Sequence, residues 1–131
     1  MYLSVLTPMQ QEAVIFLARE LIATDDAITA KEQDVLDQMV REVELPMPSA
    51  RYLSSHGAAV EALTTGKARA IAIIELLGIA HADGEYGEEE RCYIQDLVQE
   101  LGVPETTVTA MENWVLRYVA LTDEAKGFWF E

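Results

Sequence analysis

Apolar residues recur along the chain at spacings of three and four and nowhere alternate cleanly over the length of a strand, so the pattern predicts helices throughout. Thr7, Pro8 and Gln10 supply an N-cap, a proline at the first helical position and a box-like polar partner, opening a helix to about residue 23. Its Val14, Leu17, Ala18 and Leu21 share one face. Thr29 and Glu32 form a capping-box pattern for a second helix, with Leu36, Met39, Val40 and Val43 on its apolar face and Pro46 and Pro48 ending it. A weaker helix over 49–63 contains Ser54, Ser55, His56 and Gly57, whose low helix propensity allows a kink. After Thr64, Thr65 and Gly66 comes a helix over 67–82 that is apolar nearly all round and therefore expected at the centre. Gly87 can cap the next, in which Ile94, Leu97, Val98 and Leu101 line one face and Gly102 stops the run. A last helix is expected over 104–121 with Val108, Met111, Val115 and Tyr118 inward, followed by a tail holding Phe128, Trp129 and Phe130.

Part of this pattern is written twice. A shift of 58 residues (83 minus 25) carries Asp25 onto Asp83, Glu32 onto Glu90, Glu42 onto Glu100 and Pro46 onto Pro104. The apolar positions obey it too: Ile15 falls on Ile73, Leu21 on Ile79, Leu36 on Ile94, Met39 on Leu97 and Val40 on Val98. Each copy, about 12–46 and about 70–104, reads as a helical hairpin with an acidic turn. Neither hairpin can bury its stripe alone, so the expectation is one all-α domain over 1–131. It would be a bundle of about six to seven helices built on two pseudo-twofold related hairpins, with a C-terminal helix and tail over 105–131.

Composition narrows what such a bundle can do. With 9 basic and 23 acidic residues the formal charge is −14, yet half of the chain is apolar, which separates it from a disordered acidic tail. The basic residues are scattered singly and form no stripe for phosphates, which argues against nucleic acid and anionic membranes. Residues 1–22 carry Glu12, Arg19 and Glu20 and read as neither secretory signal nor membrane span, and the apolar run 68–82 is too short to cross a bilayer. Cys92, the single cysteine, builds neither an internal disulfide nor a zinc site. A cytoplasmic protein without membrane insertion is expected.

Chemistry concentrates in the acidic turns. Five of the eight residues over 83–90 are carboxylates, and Asp83, Gly84, Tyr86 and Glu90 follow the spacing of the second half of a calcium-binding EF-hand loop. Ile79 and His81 stand where its first half needs oxygen ligands, so a complete EF-hand is excluded. The stretch from Ile79 to Glu90, with Leu101, Gly102, Val103 and Pro104 beyond it, resembles the tellurite-resistance TerB-like family. That family resembles a duplicated helical hairpin with an Ala-x-x-Asp-Gly-x-apolar-x-x-x-Glu signature in each half. Ala80, Asp83, Gly84, Tyr86 and Glu90 match it in the second half. In the first, Asp25, Ile28 and Glu32 match while Asp26 replaces the glycine. The resemblance spans about 12–105 and implies an all-helical, non-enzymatic, stress-response domain, tied to tellurite resistance, whose acidic cluster is suspected of holding a divalent cation.

The residues themselves leave two readings open. If the turns converge, Asp25, Glu32, Asp83 and Glu90 offer up to eight carboxylate oxygens, suited to calcium or magnesium. In the purely structural alternative, Glu32 and Glu90 cap their helices from the third position and the aspartates satisfy turn amides. Among single residues, Glu75 inside the apolar helix needs a partner, Arg19 or a lysine being the simplest. His81 is a helix-end packing residue or a ligand, His56 carries a weaker signal, and Cys92 reads as a packed thiol. The aromatic tail is either folded back or an anchor for another chain. Without a nucleophile–base pair or a phosphate loop, no enzyme is expected. A metal-independent module, whose acidic face meets a basic protein partner, is the alternative to the cation-binding domain, and a homodimer stands open.

Overall fold

The computed structural model describes residues 2–24, 29–42, 55–82 and 86–129. Those residues are helical with no strand among them. A short 3₁₀ turn, Leu3–Val5, precedes α1 (Pro8–Ala23), α2 (Ala30–Glu42), α3 (His56–Ala62), α4 (Gly66–Ala80), α5 (Glu88–Leu101) and α6 (Glu105–Lys126). The all-α bundle read from the sequence is the architecture found.

The caps explain where most helices begin. Thr7 and Gln10 form the reciprocal box, the Thr7 hydroxyl accepting from the Gln10 N–H at 3.2 Å and the Gln10 side-chain oxygen accepting from the Thr7 N–H at 3.2 Å. Thr65 Oγ1 accepts from the Ala68 N–H at 3.1 Å and opens α4. Gly102 closes α5 at φ +70°, a left-handed conformation that glycine adopts without a Cβ penalty. The Ser-Ser-His-Gly stretch is resolved differently from its expected kink: Ser55 is an N-cap whose hydroxyl accepts from the Ala58 N–H at 3.1 Å, and α3 starts at His56. Residues 49–54, the expected start of that helix, lie outside the described residues, as do Val43, Pro46, Pro48 and Phe130.

α4 is the central element. Ile73, Leu76, Leu77 and Ile79 are sealed from solvent, and the helix touches α1, α2, α5 and α6. Its contacts follow the duplication. α1 packs on α2 as α4 packs on α5, α1 meets α5 as α4 meets α2, and α1 and α4 meet each other. The correspondence extends to the third helices, because α3 lies on α1 as α6 lies on α4. Two three-helix units are thus related by the set of contacts that a twofold exchanging α1 with α4 would leave. The sequence repeat marked only the first two helices of each.

The 3₁₀ turn breaks that equivalence. It touches α2, its Leu3 carbonyl accepts from Gln11 Nε2 at 2.7 Å, and Tyr2 stacks obliquely on Trp114 of α6. Tyr2, which caps the turn, also meets Glu75, whose Oε1 accepts the Tyr2 backbone N–H at 2.6 Å. A main-chain donor, and not only the side-chain cation expected, thus meets a carboxylate that is 3 % exposed.

Candidate functional site

The acidic turns open α2 and α5. Thr29 Oγ1 accepts from the Glu32 N–H at 3.1 Å, and Glu32 Oε1 accepts from the Thr29 N–H at 3.0 Å, completing the box. At the equivalent place Glu90 Oε1 accepts from the Gly87 N–H at 3.3 Å, with no side chain at Gly87 to return the bond. Both glutamates are buried, each about 5 % exposed. A carboxylate at this position neutralises orphan amides and complements the positive helix end, so each has a capping role whether or not a cation is present. Asp25 and Asp83, the other two residues of the expected cation site, lie outside the described residues. Among the described residues no three His, Cys, Asp or Glu side chains gather in a way that could hold a metal ion.

Next to the second turn a small stack forms. His81 ends α4, its backbone N–H donating to the Leu77 carbonyl at 3.0 Å, and its ring meets Tyr86 edge to face at 4.7 Å. Arg91 lies over the other partner of that stack, its guanidinium carbon 4.4 Å from the Tyr86 centroid. Burial lowers the His81 pKa, opposed by Glu112, whose Oε1 is 3.6 Å from Nε2 and beyond hydrogen-bond range. Burial also pushes the Tyr86 hydroxyl up to about 12. Arg91 and Glu112 stand on opposite walls of an open groove of about 500 Å³ between α5 and α6, with Ile94, Val98 and Val108 along it. His81 is buried, and the lowered pKa favours its neutral ring.

A second polar cluster among the described residues lies elsewhere and was weak in the sequence. His56, the first residue of α3, places Nδ1 2.6 Å from Glu20 Oε1 on α1 and Nε2 2.9 Å from Glu100 Oε1 on α5. Tyr93 of α5 donates its O–H to the same Glu20 oxygen at 2.9 Å and sets its ring edge-on to the imidazole at 6.2 Å. With a carboxylate on each nitrogen, the imidazolium is favoured and the His56 pKa is raised. The Glu20 bond is the largest cause, partial burial opposes it, and Glu100 adds to the rise. Burial, reinforced by Glu20, raises the Tyr93 hydroxyl as well, so it remains a donor at neutral pH. His56 lies between the two copies and has no repeat counterpart in a matching role, which removed the only signal that could have singled it out.

Several surface features differ from expectation. Cys92 is exposed and not packed, its Sγ 3.9 Å from Glu88 Oε1. Val40 is exposed, where the periodicity of α2 put it on the apolar face, and Tyr118 is exposed although α6 was expected to turn it inward. α6 also runs beyond Leu121 to Lys126. On α6 and the segment after it, Leu116, Leu121, Phe128 and Trp129 are exposed, the last three more than 60 %. Trp114 and Tyr118 stack at 5.5 Å, and Trp114 also meets Tyr2. No helix among the described residues is long and apolar enough to cross a membrane. Comparison with protein-family models, curated proteins and solved structures finds no match to this chain.

Proposed function

We propose that the chain is a non-enzymatic, TerB-like helical module that works in the cytoplasm by binding another protein, in the stress-related setting that the resemblance implies. One observation carries this reading: the C-terminal part of α6 and the segment following it leave Leu121, Phe128 and Trp129 more than 60 % exposed on a strongly acidic chain. Exposed aromatic and aliphatic side chains are the composition of interface hot spots, and excess negative charge draws a basic partner into encounter. The duplicated hairpins with buried glutamates at equivalent capping positions support the family resemblance. The test is capture from lysate by wild-type protein and by the triple variant Leu121→Ser, Phe128→Ala, Trp129→Ala. Retention of a defined partner should be salt-sensitive, indifferent to EDTA and lost in the variant. Equal capture by both proteins would remove the α6 surface from the proposal.

A divalent cation, calcium or magnesium, at Asp25, Glu32, Asp83 and Glu90 is the second reading, favoured by the equivalent, buried placement of Glu32 and Glu90. A cation at about 100 times its dissociation constant should stabilise the domain by about 2.7 kcal/mol, read as a raised melting midpoint over the EDTA-treated protein. If neither calcium nor magnesium at millimolar concentration moves the midpoint, this reading is lost. The interaction reading would be untouched.

A further inference from the structure

We propose that His56 is a proton-operated clasp: charged, it fastens α3 to both α1 and α5, and on losing its proton it keeps the tie to α1 while releasing the tie to α5. The argument rests on donors. An imidazolium has two N–H groups and meets two carboxylates here, Glu20 through Nδ1 at 2.6 Å and Glu100 through Nε2, which lies 2.9 and 3.0 Å from its two oxygens. A neutral ring keeps one N–H, so only one of these bonds survives and the bare nitrogen faces the other carboxylate lone pair to lone pair.

Which bond survives follows from what else holds each acid. Glu20 is fixed from a second side by the Tyr93 O–H at 2.9 Å, and its contact with His56 is the shorter. Glu100 is the more exposed of the two, and His56 is its one hydrogen-bond donor among the described residues. The neutral ring therefore retains its proton on Nδ1, and Glu100 turns to water. Among the described residues, the groups facing His56 are Glu20 from α1 and Glu100 and Tyr93 from α5, and no lysine or arginine acts on it. Both acids favour the charged ring, so the folded-state pKa stands above the ordinary value of 6.5. By linkage, the clasp contributes fully below 6.5 and is lost as pH rises through the folded value. Ala59 and Leu63 remain buried anchors, so α3 stays on α1 while its side toward α5 loosens.

The test is an NMR titration of the 131-residue chain, joined to electron-spin distance measurements between labels placed at Glu61→Cys on α3 and Asp96→Cys on α5 in a Cys92→Ser background. The His56 midpoint should exceed 6.5, the ring nitrogens should report the Nδ1–H tautomer above it, and the label-to-label distance distribution should broaden across it. Glu100→Gln should lower the midpoint and leave the distribution broad at every pH. A midpoint at or below 6.5, an Nε2–H tautomer, or an unchanged distribution across the midpoint would overturn the proposal. The wild-type titration alone decides the first two points even if a labelled variant folds poorly.

Discussion

Leu36 and Ile94 occupy the same position in the two copies, yet Ile94 is 2 % exposed and sealed while Leu36 is half-buried. The difference continues along the helices. Val98 is buried and its counterpart Val40 is 42 % exposed, and the buried apolar set of α5 is Ile94, Leu97, Val98 and Leu101 against Met39 alone in α2. Equal periodicity has produced unequal burial, because periodicity fixes which residues share a face and packing partners decide how much of that face is covered. The central pair differs in a second way. Leu17 of α1 is fully buried, and its counterpart in α4 is Glu75, supported by the Tyr2 amide. One copy therefore closes its core with hydrocarbon and the other with a carboxylate that accepts from the Tyr2 amide.

Exchanging those residues gives the largest expected effect. Leu17→Glu puts a carboxylate into a fully buried apolar position with no donor built to meet it, and should cost at least about 3 to 5 kcal/mol in urea unfolding. Glu75→Leu leaves the Tyr2 N–H without its acceptor and should cost about 1 to 3 kcal/mol, less because Tyr2 is itself partly solvated. If both changes cost the same, the two positions are equivalent after all, and the support from Tyr2 is worth nothing. Unequal burial of the outer helices is probed by Ile94→Ala and Leu36→Ala. The first should lose about 3 kcal/mol and the second about 1, since the cavity and transfer penalties scale with what was buried. A larger loss at Leu36 than at Ile94 would reverse the ranking of α2 and α5.

Local chemistry was legible in the sequence and long-range chemistry was not. The Thr7–Gln10 and Thr29–Glu32 boxes and the Gly102 stop depend on residues within four positions of one another, so pattern reading finds them. The apolar character of α4 announced its central place, because a helix hydrophobic on every side has nowhere else to go. By contrast, Glu75 takes its donor from a residue 73 positions away, and His56 joins acids 36 and 44 positions away. No spacing rule connects them. The shared role of α3 and α6 was equally hidden, since the two helices differ in length and in residues and are matched only by what they pack on. Of the four carboxylates singled out for a cation, Glu32 and Glu90 are placed by the same local rule that made them visible. Their capping bonds were readable for that reason.

The smallest effect is the most direct comparison of the copies, because it concerns one atom group at one position. Thr29 closes its box with a hydroxyl accepting from the Glu32 amide, whereas Gly87 leaves the equivalent bond unmade. Thr29→Ala should therefore cost about 1 kcal/mol, the ordinary value of an N-cap hydroxyl. Gly87→Ser should do the reverse and stabilise the domain by a few tenths of a kcal/mol, on the order of the measured difference between serine and glycine caps. The backbone permits it: Gly87 sits at φ −69° and ψ 159°, an extended conformation open to any residue, so no left-handed strain is introduced. Space permits it too, since an added Cβ would meet Glu90 Oε1 at 3.4 Å and Glu89 Oε2 at 3.8 Å, ordinary contact distances to flexible side chains. A serine hydroxyl there is positioned to accept from the Glu90 amide as Thr29 does from Glu32, while Glu90 keeps its bond to the residue 87 N–H. Thermal melts of the two single variants should move in opposite directions. A Gly87→Ser melt at or below wild type would show that the second turn needs its glycine for a reason other than the cap, and the equivalence of the two turns would fail at its most local point.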